Sequence, residues 1–138
     1  MRLVAISLTA VLLSLAVVHL YWMVRGVGTS AGVPSRPDGE PLFRPGRVAC
    51  LMVALALGIA ALIVVGRARL MDVPLSPWIL RAGTWGIAAT FAARTVGEFR
   101  YVGLFKRVRG TLFARWDSRV FTPLCGAIAG AAGALAIS

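Results

Sequence analysis

The sequence predicts an all-α, polytopic membrane protein: a bundle of four transmembrane helices with a basic, amphipathic cytoplasmic loop between helices 3 and 4. Three observations predict it. Four apolar stretches nearly free of charge, Leu3–Val24, Val48–Val65, Trp78–Ala93 and Val120–Ile137, take up more than half of the 138 residues. A bilayer core takes about 20 apolar residues in helical form to cross, and a helix satisfies its own backbone where there is no water. Hydrophobic residues make up 59% of the chain and charged residues only 14%, against roughly 25% charged in a soluble domain. Finally, the basic residues lie between or at the ends of the apolar stretches, where they contact lipid headgroups and set orientation. The chain reads as a single four-helix transmembrane domain over residues 1–138, with helices at about 3–24, 48–65, 77–96 and 120–137.

Helix 1 follows a thin positive start, Met1-Arg2. Thr29-Ser30-Ala31 is a loose small-residue stretch of the sort that follows a signal peptide. The apolar run, however, exceeds the roughly 7–15 residues of a signal-peptide core. It also ends in His19, Tyr21 and Trp22, an interfacial belt. It reads as a retained helix. Ser7, Ala10, Ser14 and Tyr21 form a near-heptad stripe suited to facing a neighbouring helix. The connection from Gly26 to Gly46, rich in Gly, Pro and Ser, is expected to be irregular.

Helix 2 is plain, with Ala54 and Gly58 as a small-xxx-small pair. Helix 3 has Ser76 to cap it and Pro77 at the first helical position. Ala82, Gly86, Thr90, Arg94 and Glu98 recur every four residues, a stripe small in its upper half, where another helix can pack closely, and polar below. From Phe99 to Trp116, aromatic and aliphatic residues alternate with arginines at spacings of three and four, which predicts an amphipathic segment in the headgroup layer. Gly103 and Gly110 break it into short pieces. Between Glu98 and Arg119, six bases face two acids, which favours anionic lipid. The uncharged run of helix 4 is about 27 Å long, or about 21 Å if it begins after Pro123, so a re-entrant or tilted segment is an alternative to a full span. Asp117 and Thr122 are candidate caps for it. Gly126 and Gly130 form a GxxxG pair suited to a close helix contact, within this chain or in a homo-oligomer.

Orientation follows from the basic residues. The connections after helices 1 and 3 hold ten of them, Arg25, Arg36, Arg44, Arg47, Arg100, Lys106, Arg107, Arg109, Arg115 and Arg119. The opposite side holds four, Arg2, Arg67, Arg69 and Arg81. Under the positive-inside rule both connections lie in the cytoplasm and both termini face out.

The net charge of +10 would suggest nucleic acid in a soluble protein. Here the arginines serve the lipid headgroups, and no nucleic-acid partner is expected. Cys50 and Cys125 each sit just inside an apolar run and have no metal or redox spacing. With one histidine and no carboxylate at ligand spacing, neither metal nor cofactor is expected. No GxSxG, HExxH, P-loop or dinucleotide fingerprint occurs.

Two polar constellations stand out. Arg94 and Glu98, at i and i+4, can pair, worth about a few tenths of a kcal/mol in water. Either they form a buried polar site facing the bundle, or Arg94 snorkels to the headgroups and Glu98 offsets a basic loop. His19 either hydrogen-bonds to a carboxylate such as Glu98 or Asp117, or belongs with Tyr21 and Trp22 to an aromatic belt.

Several blocks carry a resemblance. His19-Leu20-Tyr21-Trp22, Leu42-Phe43-Arg44-Pro45-Gly46 and Trp78-Ile79-Leu80-Arg81-Ala82-Gly83 occur in order. The longest block runs from Arg94-Thr95-Val96-Gly97-Glu98 through Phe99-Arg100-Tyr101-Val102-Gly103 to Leu104-Phe105-Lys106-Arg107. It continues to Thr111, Phe113, Ala114, Asp117 and Pro123-Leu124-Cys125. Together these resemble an uncharacterised bacterial family of small four-helix integral membrane proteins, a domain of unknown function, over nearly the whole chain. The chain departs from the family in having Glu98 where an Asp is expected, and Gly26-Val27-Gly28 in place of paired glycines. The resemblance implies the architecture, in a bacterial cytoplasmic (inner) membrane, and no activity. Its motif residues gather at the cytoplasmic ends of the helices, so a site would be a vestibule lined by His19, Trp22, Arg94, Glu98, Arg100, Tyr101, Lys106 and Asp117. The leading expectation is a non-enzymatic membrane protein binding an anionic lipid headgroup, a small anion or a partner there. The alternatives are a membrane-embedded enzyme using His19 or Glu98 as acid/base on a lipid-like substrate, and a small oligomeric transporter assembled through Gly126 and Gly130.

Overall fold

The computed structural model describes residues 1–28 and 31–138. Thr29 and Ser30, part of the small-residue stretch weighed as a cleavage site, lie outside the described residues. The described chain is helical: α1 (Arg2–Arg25), α2 (Arg47–Arg67), α3 (Pro77–Val96), α4 (Leu112–Trp116) and α5 (Thr122–Ile137), with a π-helical turn, Asp117–Phe121, joining the last two. Among the described residues no strand forms; a single isolated bridge pairs Ser35 with Pro41 in the first connection.

Three helices are long and apolar enough to cross a membrane: Arg2–Arg25, Arg47–Arg67 and the continuous run Leu112–Ile137. Only 22%, 33% and 28% of their apolar windows are buried inside the protein. The rest of that apolar surface faces outward, with Leu3, Val17, Val48, Met52 and Ile59 all more than half exposed. Helices that are apolar on every side match a hydrocarbon environment rather than water. α3 has 20 residues, but Arg81, Arg94 and its threonines and glycines dilute its apolar content below that of the other three.

The helices pack as two hairpins, α1 against α2 and α3 against α5, joined chiefly where α2 meets α3. At one end Arg67 of α2 donates through Nη2 to the Ala136 carbonyl of α5, at 3.5 Å. The core is built from Ala5, Leu8, Leu12 and Ala16 of α1, Leu57, Ala60, Ala61 and Val64 of α2, Ile87 and Ala88 of α3, and Ile128, Ala132 and Leu135 of α5. The alanines let the backbones approach closely, while the leucines and valine fill the space between them.

The structure corrects which helix faces do the packing. On α1 the stripe of Ser7, Ala10, Ser14 and Tyr21 is exposed, and the inward face is the one carrying the aliphatic core. On α3 the stripe of Ala82, Gly86 and Thr90 is likewise exposed, while Leu80, Thr84, Ile87 and Ala88 turn inward. Neither polar stripe needs a neighbour. Ser14 Oγ donates to the Ala10 carbonyl and Thr90 Oγ1 to the Gly86 carbonyl, so each hydroxyl is satisfied on its own helix. Dispersion then favours the face with the larger interlocking side chains. Of the GxxxG pair, Gly126 faces Thr95 of α3 and Gly130 opens onto space. Ala54 is buried on α2 and Gly58 has open space beside it.

The fourth helix starts earlier than the charge pattern predicts. Thr111 caps it, its Oγ1 accepting from Ala114 N at 3.1 Å, and the helix runs on through Asp117 and Thr122 to Ile137. Asp117 and Thr122 are therefore interior residues, not caps. Pro123 lacks an N–H and its ring crowds the carbonyl four residues back, and the π turn just before it absorbs that defect. Ser76 occupies the N-cap position of α3 and Pro77 the first turn, but Ser76 makes no side-chain cap bond.

Candidate functional site

Asp117 has no solvent exposure, and both its oxygens are used. Oδ1 accepts from Arg94 Nη2 at 2.7 Å. Oδ2 accepts from Lys106 Nζ at 2.9 Å, Gly103 N at 3.0 Å and Thr122 Oγ1 at 3.1 Å. A carboxylate so deep in protein is stable only when paired and fully hydrogen-bonded, and here three elements supply the partners. Arg94 comes from the last turn of α3, Thr122 from the helix itself, and Gly103 and Lys106 from the connecting loop. Lys106, 2% exposed, bonds also to the Gly103 carbonyl at 3.1 Å. The two ion pairs among the described residues both end on Asp117.

The loop from Gly97 to Thr111 contains no helix, contrary to the amphipathic spacing of its sequence. Its path is set by two glycines at a backbone crossing. Gly97 (φ +82°) and Gly103 (φ +90°) take up the left-handed region and touch. A side chain at Gly103 would lie 2.5 Å from the Val96 carbonyl oxygen, and one at Gly97 would overlap the Val102 carbonyl. Glu98 then closes the turn, its Oε2 accepting from Arg100 N at 3.2 Å and its Oε1 from Tyr101 N and Val102 N. Leu104 N donates to the Thr95 carbonyl at 2.9 Å, fastening the loop to α3. Local side-chain acceptors of this kind compete directly with helix formation, and here they win.

Among the eight residues singled out in the sequence, Arg94, Lys106 and Asp117 meet in one cluster. Glu98 does not pair with Arg94; it serves the loop amides, and Arg94 turns to Asp117 instead. Arg100 stacks over the Tyr101 ring, 5.2 Å from its centroid. His19 and Trp22 form a separate pair, rings edge to face at 5.1 Å, with His19 Nδ1 bonded to the Leu15 carbonyl at 2.8 Å. A carbonyl only accepts, so Nδ1 carries the proton. No bond joins His19 to Glu98 or Asp117, so the acid/base constellation is not assembled. Gly97, Gly103, Thr111 and Thr122 were missed as site-builders. The pair of glycines six residues apart, flanking Glu98, was the signal available.

Outside the cluster the arginines of this end are exposed: Arg100, Arg107, Arg109, Arg115 and Arg119. So are Phe99, Leu104, Phe105 and Trp116, each between 48% and 59%. Cys50 and Cys125 are both free thiols, and no group of three metal-binding side chains occurs among the described residues.

Neither a curated protein nor a solved structure matches the chain. A family model does, one described as a protein of unknown function, over residues 12–132. That span takes in α2, α3, the crossed-glycine loop and the Asp117 cluster, as the resemblance of the Arg94–Arg107 block implies. The chain belongs to this family, DUF3995.

Proposed function

We propose that this is a multi-pass protein of the bacterial cytoplasmic membrane whose loop 97–111 and α4 form a rigid, cytoplasm-facing platform for anionic lipid headgroups. One observation carries the reading. Around the buried Asp117 cluster, exposed arginines alternate with exposed Phe99, Leu104, Phe105 and Trp116. Aromatic and aliphatic side chains partition into the headgroup boundary while guanidiniums take the phosphates, each base near an anionic surface adding about 1 kcal/mol. Asp117 contributes stiffness rather than chemistry, because its four bonds tie the loop to α3 and α5. An enzymatic role for Glu98 has no support in this geometry, since both its oxygens are occupied by backbone amides.

Native mass spectrometry of protein extracted from a mixed phosphatidylcholine–phosphatidylglycerol bilayer tests the reading. The wild type is expected to retain phosphatidylglycerol in preference, and Arg100→Gln with Arg107→Gln to weaken that preference. Equal retention of the two lipids by the wild type would remove the proposal.

A further inference from the structure

The arginines of the basic end are not equivalent. Arg94 is spent on Asp117. Arg109 donates to the Lys106 and Leu104 carbonyls at 3.1 and 3.3 Å. Arg100 lies over Tyr101. Arg115 and Arg119, exposed and, like Arg107, without an ion pair among the described residues, differ in standing one turn apart on the outer face of the fourth helix. Leu112, Arg115, Trp116, Arg119 and Val120 share that face at the i, i+3, i+4, i+7, i+8 spacing and line one depression of about 360 Å3.

Two like charges four residues apart on a helix repel each other. Nothing acidic lines this depression to offset them. An anion held between the two guanidiniums would reverse the sign of that interaction, and a phosphate matches the planar fork of each arginine. Trp116, 48% exposed, with Leu112 and Val120 gives the depression an apolar wall beside the charged pair. An indole with an apolar body and a polar edge suits the glycerol level of a bilayer.

We infer that Arg115 and Arg119, walled by Trp116, Leu112 and Val120, form a discrete site for the phosphate of one anionic phospholipid. This inference rests on the lipid-platform reading and narrows it from a diffuse basic face to two residues. The site lies back to back with the Asp117 cluster, on the same stretch of helix. The bonds that fix Asp117 inward therefore fix the arginine pair outward.

The test compares two charge-conserving double variants in nanodiscs of phosphatidylcholine doped with phosphatidylglycerol. Arg115→Lys with Arg119→Lys keeps the charge and loses the fork. It is expected to weaken phosphatidylglycerol retention by about tenfold, the worth of one charge-assisted bond. Arg36→Lys with Arg44→Lys, two exposed arginines of the first connection outside the platform, is expected to match the wild type. If both variants retain lipid as the wild type does, the discrete site is wrong and the diffuse platform survives. If the wild type shows no preference for phosphatidylglycerol, the platform itself fails. Inorganic phosphate in large excess is expected to leave the bound lipid in place; displacement by it would assign the pair to a free anion and overturn the lipid site. Unchanged thermal unfolding of both variants guards against a folding defect, and both pairs are exposed enough for that control to hold.

Discussion

Asp117 sits where a lone carboxylate would be intolerable, and its neighbours explain why it is there. Lys106 is as deeply buried as its partner, at 2% and 0% exposed, so neither charge has water to fall back on. Replacing Asp117 by Asn removes the counter-charge and leaves Lys106 Nζ and the Gly103 amide facing a poorer acceptor. Breaking a buried pair from one side costs about 3–5 kcal/mol. Asp117→Asn is therefore expected to lower the Tm in detergent sharply. Asp117→Asn combined with Lys106→Met is expected to recover part of the loss, because the stranded charge goes with it. A double variant as unstable as the single one would mean that Lys106 is not the group left unpaired. Arg94→Gln is expected to cost less than Asp117→Asn, since the Arg94 side chain keeps 32% exposure and reaches water. The sequence placed Asp117 near a helix start but misassigned its role. Its four partners come from positions 94, 103, 106 and 122, and no local spacing reveals which of several nearby bases turns inward.

At the level of elements, the apolar helices were legible and their orientations were not. Composition finds a membrane-like helix because every side is apolar. That same uniformity leaves no moment to say which side packs, so the serine and threonine stripes of α1 and α3 were assigned inward and lie outward. The loop after α3 shows a different limit. Its aromatic and basic residues follow helical spacing, yet Gly97 and Gly103 at positive φ and the three amides held by Glu98 fix an irregular path. Spacing reports which residues can share a face, and a backbone crossing overrides it. The crossing makes a sharp prediction. Gly97→Ala and Gly103→Ala each place a methyl group into backbone atoms at a φ that L-residues avoid, a combination expected to cost about 2 kcal/mol or more. Hydrogen exchange at the Leu104 amide and thermal unfolding would register it. Gly110→Ala is the control, because nothing lies within 4 Å of its added carbon and its φ is not in the left-handed region. Equal tolerance of all three substitutions would show that the loop does not close through its glycines.

For the whole molecule, the sharpest question is whether α3 crosses the membrane as the other helices are built to do. It carries more polar groups than they do, but the hydrogen bonds reduce what those groups cost in lipid. Thr84, Thr90 and Thr95 each donate to a carbonyl four residues back, at 2.7 to 2.8 Å. Arg81 stands one turn from the start of the helix, within reach of the headgroups, and Arg94 is neutralised at the other end by Asp117. Between them lie apolar residues and these self-bonded threonines, with one face packed against α5 and α2. A helix that met lipid on one face and its own bundle on the other has every backbone group satisfied, which is the condition for spanning. The prediction is that the turn around Asp72 and the loop around Lys106 lie on opposite sides of the membrane. Single-cysteine labelling with an impermeant reagent, in a variant lacking Cys50 and Cys125, reads this directly in intact cells. A cysteine at Asp72 is expected to be labelled from outside, and one at Arg107 only after permeabilisation, as ten basic residues against four require. Labelling of both from the same side would mean that α3 lies in the interface, and the basic platform would then have no common cytoplasmic face with the first connection.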